Sequence, residues 1–339
     1  MPDAAATVHD DAVGDDLRRI AERLAGGAAV EAVRPVKSGA NGQVYRVETA
    51  ARSLALKRYA RRPGDRRERG HAEWRALRFL RAKGVDAVPL PVAGDGEFLL
   101  MEWIEGEPVA AHRPGDLGSA ASFLARIFAL SAEPEAVELP PASEACLSVA
   151  EILRQIDRRL EAFAAEPSLD AFLSGTFRPA LEAAAEACRG AARDGELAPG
   201  LRRLIPADFG FHNAVRQADG SLRYIDFEYF GWDDPAKVAA DFVLHPAMRL
   251  SAGEQRRFIA RIAAALPGDA GFRTRCAERL PLFALRWALI VLNPFRRERA
   301  GELPGDARAR ATLLDDRLAK ARTLLRAADP ARADRRAAR

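Results

Sequence analysis

Residues 205–230 contain three side chains whose types and spacing suit a metal-dependent reaction at a hydroxyl group. Asn213 follows Asp208 by five positions, and Asp226 comes thirteen positions later, behind a short apolar run. A carboxylate can accept a proton from a hydroxyl group, and carboxylate and amide oxygens are ligands that Mg²⁺ prefers. The spacing favours one acid–base residue and two metal ligands. Taken singly, the same residues could be a turn acid, a helix cap and a strand-end residue.

A second chemical feature is Lys57, because lysine is rare in this chain. Only five of the 52 basic residues are lysines, so arginine is the usual surface cation. The segment from Leu54 to Lys57 alternates, which places Ala55 and Lys57 on the strand face opposite Leu54 and Leu56. Protein kinases have a similar strand, and its lysine pairs with nucleotide phosphates. The alternative is a solvated strand lysine.

Glu73 lies sixteen residues after Lys57, in a predicted helix, on the same stripe as Leu77 and Leu80. An inward-facing carboxylate needs a partner. Lys57 is the nearest candidate in the sequence, and we predict that the two side chains pair. The alternative is an ordinary Glu–Arg pair on the helix surface.

The segment Ser38–Gln43 carries two glycines and the dipeptide Asn41-Gly42 between two strand-like runs. An Asn-Gly dipeptide in this setting indicates a β-hairpin. A glycine-bearing hairpin can also place backbone N–H groups over phosphates. A plain turn and a phosphate-binding loop therefore remain alternatives for this segment.

The elements that must position these residues change type along the chain. Strands are predicted at Val33–Val36, Gln43–Glu48, Arg52–Arg58, Val88–Val92 and Glu97–Ile104. Short helices are predicted at Asp16–Leu24 and Arg67–Lys83. After Gly106 helical periodicity dominates, with predicted helices at Gly118–Leu130, Val149–Ala165, Phe172–Asp194, Pro235–Leu244, Gly253–Leu266, Phe272–Val291 and Asp306–Ala327. Two extended segments interrupt these helices, at Ala214–Arg216 and Leu222–Phe227.

This order of elements predicts an α+β chain with two lobes. The predicted domains are a disordered acidic tail over residues 1–16, a small β-rich N-lobe over 17–104, a larger helical C-lobe over 105–328 and an Arg-rich tail over 329–339. The chain has 339 residues, 48% of them hydrophobic and 29% charged, which excludes a disordered or collagen-like protein.

Charge and cysteine content narrow the class of protein further. The net charge is +4 and the basic residues are dispersed, so we do not expect a nucleic-acid partner. No apolar run approaches the roughly 20 residues of a membrane span, and the acidic first residues do not resemble a secretory signal. The cysteines are three and widely spaced, as expected of packed thiols. We therefore expect a cytoplasmic protein.

In these features the chain resembles the aminoglycoside phosphotransferase and choline kinase-like family, over about Val33–Asn293. The resemblance implies a protein-kinase-like fold and transfer of the γ-phosphoryl group of ATP, with Mg²⁺, to a hydroxyl of a small molecule. Asp208 would be the catalytic base, and Asn213 and Asp226 the metal ligands. The residues that would contact the nucleotide or hold its lysine are Ser38, Gly39, Ala40, Asn41, Gly42, Ala55, Lys57, Glu73, Met101, Glu102, Trp103 and Ile104.

The chain departs from the family pattern next to Asp208. Pro206-Ala207 stands where the family has His-Gly, and His212 stands where a glycine is common. Although Asp208-Phe209-Gly210 spells the metal motif of protein kinases, only the catalytic-loop placement leaves Asn213 at the right distance. A catalytically inactive nucleotide-binding protein on the same fold is therefore the alternative.

The acceptor is predicted only as a class: an amino alcohol, an aminoglycoside or a sugar-like molecule. A cluster of acidic and aromatic residues would attract a cationic acceptor, by charge and by cation–π contact. The members of this cluster are Glu228, Trp232, Asp233 and Asp234. Three neighbouring features are predicted to be structural: Asp234 as a helix N-cap, His245 as a helix end and Trp287 as core.

Overall fold

The computed structural model describes residues 15–39, 42–60, 68–190 and 195–327. The predictions for residues 1–14 of the acidic tail, for the Arg-rich tail at 329–339 and for Ala40 and Asn41 lie outside the described residues. The chain forms two compact units. Unit 1 consists of Met1–Ala110 and Asn213–Phe230, and unit 2 of Ala111–His212 and Gly231–Arg339. The linear domain boundaries inferred from the sequence stay a prediction.

Unit 1 is built on an antiparallel sheet of five strands in the order β1-β2-β3-β5-β4. The strands are β1 (Val30–Gly39), β2 (Gly42–Thr49), β3 (Ser53–Tyr59), β4 (Pro91–Gly94) and β5 (Phe98–Glu102). In the central strand β3, Lys57 pairs with Val44 on one side and Leu99 on the other. The lysine therefore emerges from the middle of the sheet, where strand geometry is firmly held.

Two helices accompany this sheet. Helical backbone, α1, covers residues 15–24, and its Leu17, Ala21 and Leu24 join the core formed by Val47 and Leu56. Residues 15 and 16, assigned above to the tail, are thus part of this helix, where Asp16 pairs with Arg19 one turn later. Helix α2 (Arg69–Ala82) buries Glu73 on the same stripe as its leucines.

Unit 1 also contains a three-stranded sheet of β6 (Glu107–Pro108), β8 (Ala214–Arg216) and β9 (Leu222–Tyr224), in the order β6-β8-β9. Arg223 of β9 donates to both carboxylate oxygens of Glu102, at 2.6 and 2.8 Å. The N–H of Tyr224 donates to the carbonyl of Ala87 at 2.7 Å. These contacts tie the segment that follows β9, which carries Asp226, to the strand-rich part of unit 1.

Unit 2 is mainly helical. Its helices are α3 (Asp116–Ala129), α4 (Val149–Glu161), α5 (Pro167–Phe172), α6 (Arg178–Gly190), α7 (Pro235–Leu244), α8 (Ala252–Ala264), α9 (Phe272–Val291) and α10 (Ala307–Ala327). Strand β7 (Arg203–Ile205) pairs with β10 (Gly231–Asp233). Helix α7 buries all ten of its residues, so Lys237 must pair within the protein and does so with Asp241 at 3.1 Å. None of the described helices of the chain is long and apolar enough to cross a membrane.

Several predicted elements need correction. The single helix predicted at Phe172–Asp194 consists of α5, a π-helical turn at Leu173–Phe177 and α6, with residues 191–194 outside the described part. The strand predicted at Val88–Val92 begins only at Pro91, since prolines at 89 and 91 cannot donate to a ladder and suit an edge strand. The strands β6, β7 and β10 were not predicted, because segments of two or three residues show no periodicity.

Candidate active site

Lys57 is the centre of a buried charge cluster in unit 1. Its Nζ lies 2.7 Å from Oε2 of Glu73, 2.7 Å from Oδ1 of Asp226 and 3.2 Å from Oε2 of Glu228. The side chain is 9% exposed, so the alternative of a solvated strand lysine is wrong. The predicted pair of Lys57 and Glu73 is present, and two further carboxylates share the same ammonium group.

Glu73 is held by three donors. Besides Lys57, the hydroxyl of Tyr59 donates to Oε2 at 2.6 Å and the N–H of Phe227 donates to Oε1 at 3.0 Å. Tyr59 was missed in the sequence, although it follows Lys57 by two positions and therefore points to the same strand face. Because its carboxylate is fixed from three directions, Glu73 holds Lys57 in one place.

The electrostatics of the cluster favour a charged lysine. Burial alone would lower the pKa of Lys57, but Asp226 and Glu73 outweigh it and hold the pKa well above its usual value. Burial raises the pKa of Glu228. Lys57 acts in the opposite direction, but the negative charges of Asp226 and Glu73 raise the pKa further. Nε of Arg69 lies 3.5 Å from Oε1 of Glu228. Three carboxyl groups and two cationic side chains thus share this part of unit 1.

The two predicted metal ligands lie at the same end of the β8–β9 hairpin. The N–H of Ile225 donates to the backbone carbonyl of Asn213 at 2.9 Å, so Asn213 and Asp226 are held close in unit 1. Asp226 has a positive φ of 71°, a conformation that strains most residues and is less costly for aspartate. Its side chain is 32% exposed, more than the other carboxylates of the cluster. Carboxylate and amide oxygens are donors that fit Mg²⁺, which Asp226 and Asn213 would hold.

The predicted nucleotide loop and hinge also lie in unit 1. Gly39 of β1 pairs with Gly42 of β2. A Cβ atom at Gly42 would lie 2.2 Å from the carbonyl oxygen of Arg58, so only glycine fits. Ala55 is buried and pairs with Met101, the first residue of the predicted hinge. The carboxylate of Glu102 accepts hydrogen bonds from Arg223 and from the N–H of Leu90. Ile104 is buried, and the ring of Trp103 lies under the guanidinium of Arg46. The roles of these residues toward a nucleotide stay predictions.

In unit 2, Asp208 follows β7 by three positions and is half-buried, with 37% of its side chain exposed. Ala207, just before it, has a positive φ of 59°. Oδ1 of Asp208 lies 3.1 Å from Nε2 of His212. Burial by itself would raise the pKa of Asp208, but the hydrogen bond with His212 and the charges of His212, His245 and Lys237 together lower the pKa below its usual value. Asp208 is therefore ionised at neutral pH, as a proton acceptor must be.

The residues predicted to bind the acceptor make internal contacts. Trp232 donates its Nε1–H to the carbonyl of Ala136 at 2.9 Å. Asp233 is fully buried and accepts the N–H groups of Cys146 and Asp234, each at 2.7 Å. Glu228 belongs to the Lys57 cluster. These contacts give no support to a role in binding the acceptor, which stays a prediction.

Asp234, the fourth of these residues, is fully buried and caps helix α7 through Ala236, as the sequence indicates. It also pairs with Arg275 and Arg279 of α9, at 2.7 and 2.8 Å. His245 is the C-cap of α7, also as predicted. The two arginines could not be assigned to Asp234 from the sequence, because about 40 residues separate them from it.

Comparisons with known proteins agree on the fold. The sequence model of the APH phosphotransferase enzyme family matches residues 32–275. A search of curated protein sequences finds no match. Among solved structures, spectinomycin phosphotransferase APH(9)-Ia, in complex with ADP and spectinomycin, has a TM-score of 0.62 at 8% identity and covers 92% of this chain and 98% of its own.

Two other structures show the same likeness. Choline kinase LicA from Streptococcus pneumoniae has a TM-score of 0.59 at 15% identity, covering 91% of this chain and 99% of its own. Macrolide 2'-phosphotransferase MphH from Brachybacterium faecium has a TM-score of 0.55 at 18% identity, covering 88% and 95%. At such identities a structural likeness shows the fold, which is the kinase-like fold. Because the family model covers most of the sequence, the chain belongs to the APH phosphotransferase enzyme family.

Proposed function

We propose that the protein is a small-molecule kinase that transfers the γ-phosphoryl group of ATP to a hydroxyl group. The observation that carries this proposal is the buried Lys57, held at 2.7 Å from both Glu73 and Asp226, in a member of a phosphotransferase family. An ammonium group fixed in this way is suited to pair with nucleotide phosphates. Two structures of the same fold were solved in complex with ADP or AMP, which supports ATP as the donor.

The residues divide the work as follows. Lys57 contacts phosphate oxygens of ATP, and Glu73 keeps the lysine in position. Asn213 and Asp226 would hold Mg²⁺, whose charge would offset the negative charge of the phosphates. Asp208 accepts the proton of the acceptor hydroxyl. The oxygen of that hydroxyl bonds to the γ-phosphorus, while the bond between the γ-phosphorus and the oxygen of the leaving ADP breaks. Phosphoryl transfer depends mainly on positioning and charge, and this set provides both.

We also propose roles for the loop, the hinge and the acceptor class. Residues 38–42 would lie over the phosphates, and Ala55 with the hinge at 101–104 would contact the adenine. The named structural relatives act on spectinomycin, choline or a macrolide, which supports an amino alcohol, an aminoglycoside or another sugar-like acceptor. A cytoplasmic location, where ATP is available, fits this activity.

The test is a screen for ATP consumption with Mg²⁺ against amino alcohols, aminoglycosides, macrolides and sugars. Turnover that requires one acceptor, yields its phosphate ester and is lost in Asp208→Asn supports the proposal. Arg308→Gln is a matched control, because Arg308 is an exposed residue of α10. ATP binding without turnover on any acceptor would instead support the inactive nucleotide-binding protein.

A further inference from the structure

His212 is in direct contact with Asp208, the proposed base. Its Nε2 lies 3.1 Å from Oδ1 of Asp208, within unit 2. Pro206, two residues before Asp208, has no N–H group, so it offers no backbone donor to the carboxylate. The histidine four residues after Asp208 supplies a side-chain donor.

The imidazole of His212 is held tightly from two sides. It stacks on the ring of His245, with centroids 4.0 Å apart and planes 2° apart. On another side it lies against Gly210, where a Cβ atom would come within 2.7 Å of His212 Nδ1. Glycine at 210 therefore makes room for this ring, and the ring has little freedom to turn away from Asp208.

The two ring nitrogens of His212 have different surroundings. Nδ1 is buried, and no residue in the described part of the chain forms a hydrogen bond with it. An ionised carboxylate can only accept a hydrogen bond, so the ring nitrogen that faces Oδ1 of Asp208 must carry a hydrogen. Nε2 of His212 therefore donates to Asp208.

His245 is itself anchored. Its Nδ1 accepts the N–H of Ala247 at 3.1 Å, and its ring meets Trp287 edge-on at 4.8 Å. Trp287 in turn donates Nε1–H to Asp241 at 2.7 Å. Burial, with His212 nearby, lowers the pKa of His245 to about 4, so it is an uncharged support at neutral pH.

Asp208, His212 and His245 are spaced closely enough to suggest a metal site. Their orientation speaks against it, because a metal ion lies in the ring plane of each histidine that binds it. The two rings are stacked in parallel planes, which cannot both contain one ion. His245 also already uses its Nδ1 lone pair for Ala247.

We propose that His212 is a positioning residue, which orients the carboxylate of Asp208 by donating its Nε2–H to Oδ1. This inference rests on the proposed function, in which Asp208 accepts the proton of the acceptor hydroxyl. A carboxylate that is held by one oxygen cannot rotate freely, so its position toward the hydroxyl is defined before the acceptor binds. Lys237 and His245 also act electrostatically on Asp208, and His212 donates a hydrogen bond to it.

The test uses two substitutions that separate the donor from the ring. His212→Phe keeps an aromatic ring for stacking on His245 but has no donor. His212→Gln places an amide N–H near the position of Nε2. We expect kcat to fall at least about tenfold in His212→Phe, with KM for ATP unchanged and most of the loss recovered in His212→Gln. His112→Phe is the matched control, since His112 pairs with a different carboxylate, Glu254, at 2.9 Å.

A second measurement does not depend on activity. The carboxyl carbon of Asp208, followed by NMR in a pH titration, should titrate at higher pH in His212→Phe than in the wild type, His212→Gln or His112→Phe. An unchanged Asp208 titration overturns the inference, whether or not an acceptor is found. So does a loss of kcat as large in His212→Gln as in His212→Phe. A wild-type protein without turnover on any acceptor contradicts the proposed function instead.

Discussion

At the scale of single residues, the Lys57 cluster brings opposite charges together at the cost of burying them. Three carboxylates and one ammonium group are packed together, although burial of each charge is unfavourable. A protein built only for stability would fare as well with apolar residues of similar volume. The unfavourable burial of these charges supports the proposal that the cluster binds phosphates and a cation.

Lys57→Ala tests this view. ATP–Mg²⁺ should no longer raise the melting temperature, because the group that pairs with the phosphates is gone. The structure adds that the variant loses stability, by about 3 kcal/mol, since Glu73, Asp226 and Glu228 are left without their shared partner. The readout is thus the ligand-induced shift rather than the melting temperature itself. Lys320→Ala, at an exposed position of α10, is the control, and an undiminished shift in Lys57→Ala would contradict the assignment.

Substitutions of Asp208 and Asp226 should differ in their effects on ATP–Mg²⁺ affinity and on turnover. Asp226→Asn removes a charged metal ligand, so both Mg²⁺-dependent ATP affinity and turnover should fall. Asp208→Asn removes the proton acceptor, so turnover should drop by roughly 10²- to 10⁴-fold while ATP–Mg²⁺ affinity is nearly kept. Calorimetric titration of ATP with and without Mg²⁺ measures the difference. The opposite pattern would assign the metal to Asp208 and refute our placement of the catalytic loop.

At the scale of elements, β10 and α7 meet at two buried carboxylates, Asp233 and Asp234, which differ in the number of cations that contact them. Asp234 has two arginine partners. Asp233 has two backbone N–H donors on Oδ1, and its Oδ2 lies 3.7 Å from Lys237. Burial raises the pKa of Asp233 to about 6, from an ordinary value of 3.8. The folded protein therefore holds a proton there that the unfolded chain releases.

This difference predicts a pH dependence of stability. Because the folded pKa is the higher one, the stability contributed by protonated Asp233 is fully present below about pH 4 and is lost as pH rises through about 6. Asp233→Asn keeps an acceptor for both N–H groups and cannot ionise. The variant should gain up to about 3 kcal/mol relative to the wild type over this range. Urea unfolding at pH 4, 5, 6 and 7 measures it, with exposed Asp315→Asn as control; parallel curves would refute the prediction.

At the scale of the whole molecule, each unit is built from two separate segments of the chain. The boundary between the units falls between His212 and Asn213, so the proposed base belongs to unit 2 and the proposed metal ligands to unit 1. The same holds for the segment around 230, where Glu228 belongs to unit 1 and β10 to unit 2. Each unit therefore depends on segments that are distant in sequence.

Hydrogen exchange can test the assignment of the nucleotide to unit 1. ATP–Mg²⁺ should slow amide exchange in segments 53–59, 69–77 and 222–228, which carry Lys57, Glu73 and Asp226. The protection should persist in Asp208→Asn and weaken in Asp226→Asn. Protection confined to unit 2, for example to α7, would show that the nucleotide binds elsewhere.

What the sequence by itself determined is local in origin. The alternation around Lys57, the inward stripe of Glu73 and the short spacing from Asp208 to Asn213 are written in a few neighbouring residues, and so are the bounds of α7 and α9. Their order along the chain was enough to indicate the family. These signals survive folding because strand and helix periodicity is set by the backbone.

Only the tertiary structure decided which groups share a partner. Asp226 reaches Lys57 across 169 positions, and Phe227 reaches Glu73 across 154. The enclosure of Asp234 by α9 and the stacking of His212 on His245 likewise depend on helix packing. No local pattern encodes such contacts, because they depend on how buried surfaces fit together and on which charges remain to be neutralised once water is excluded.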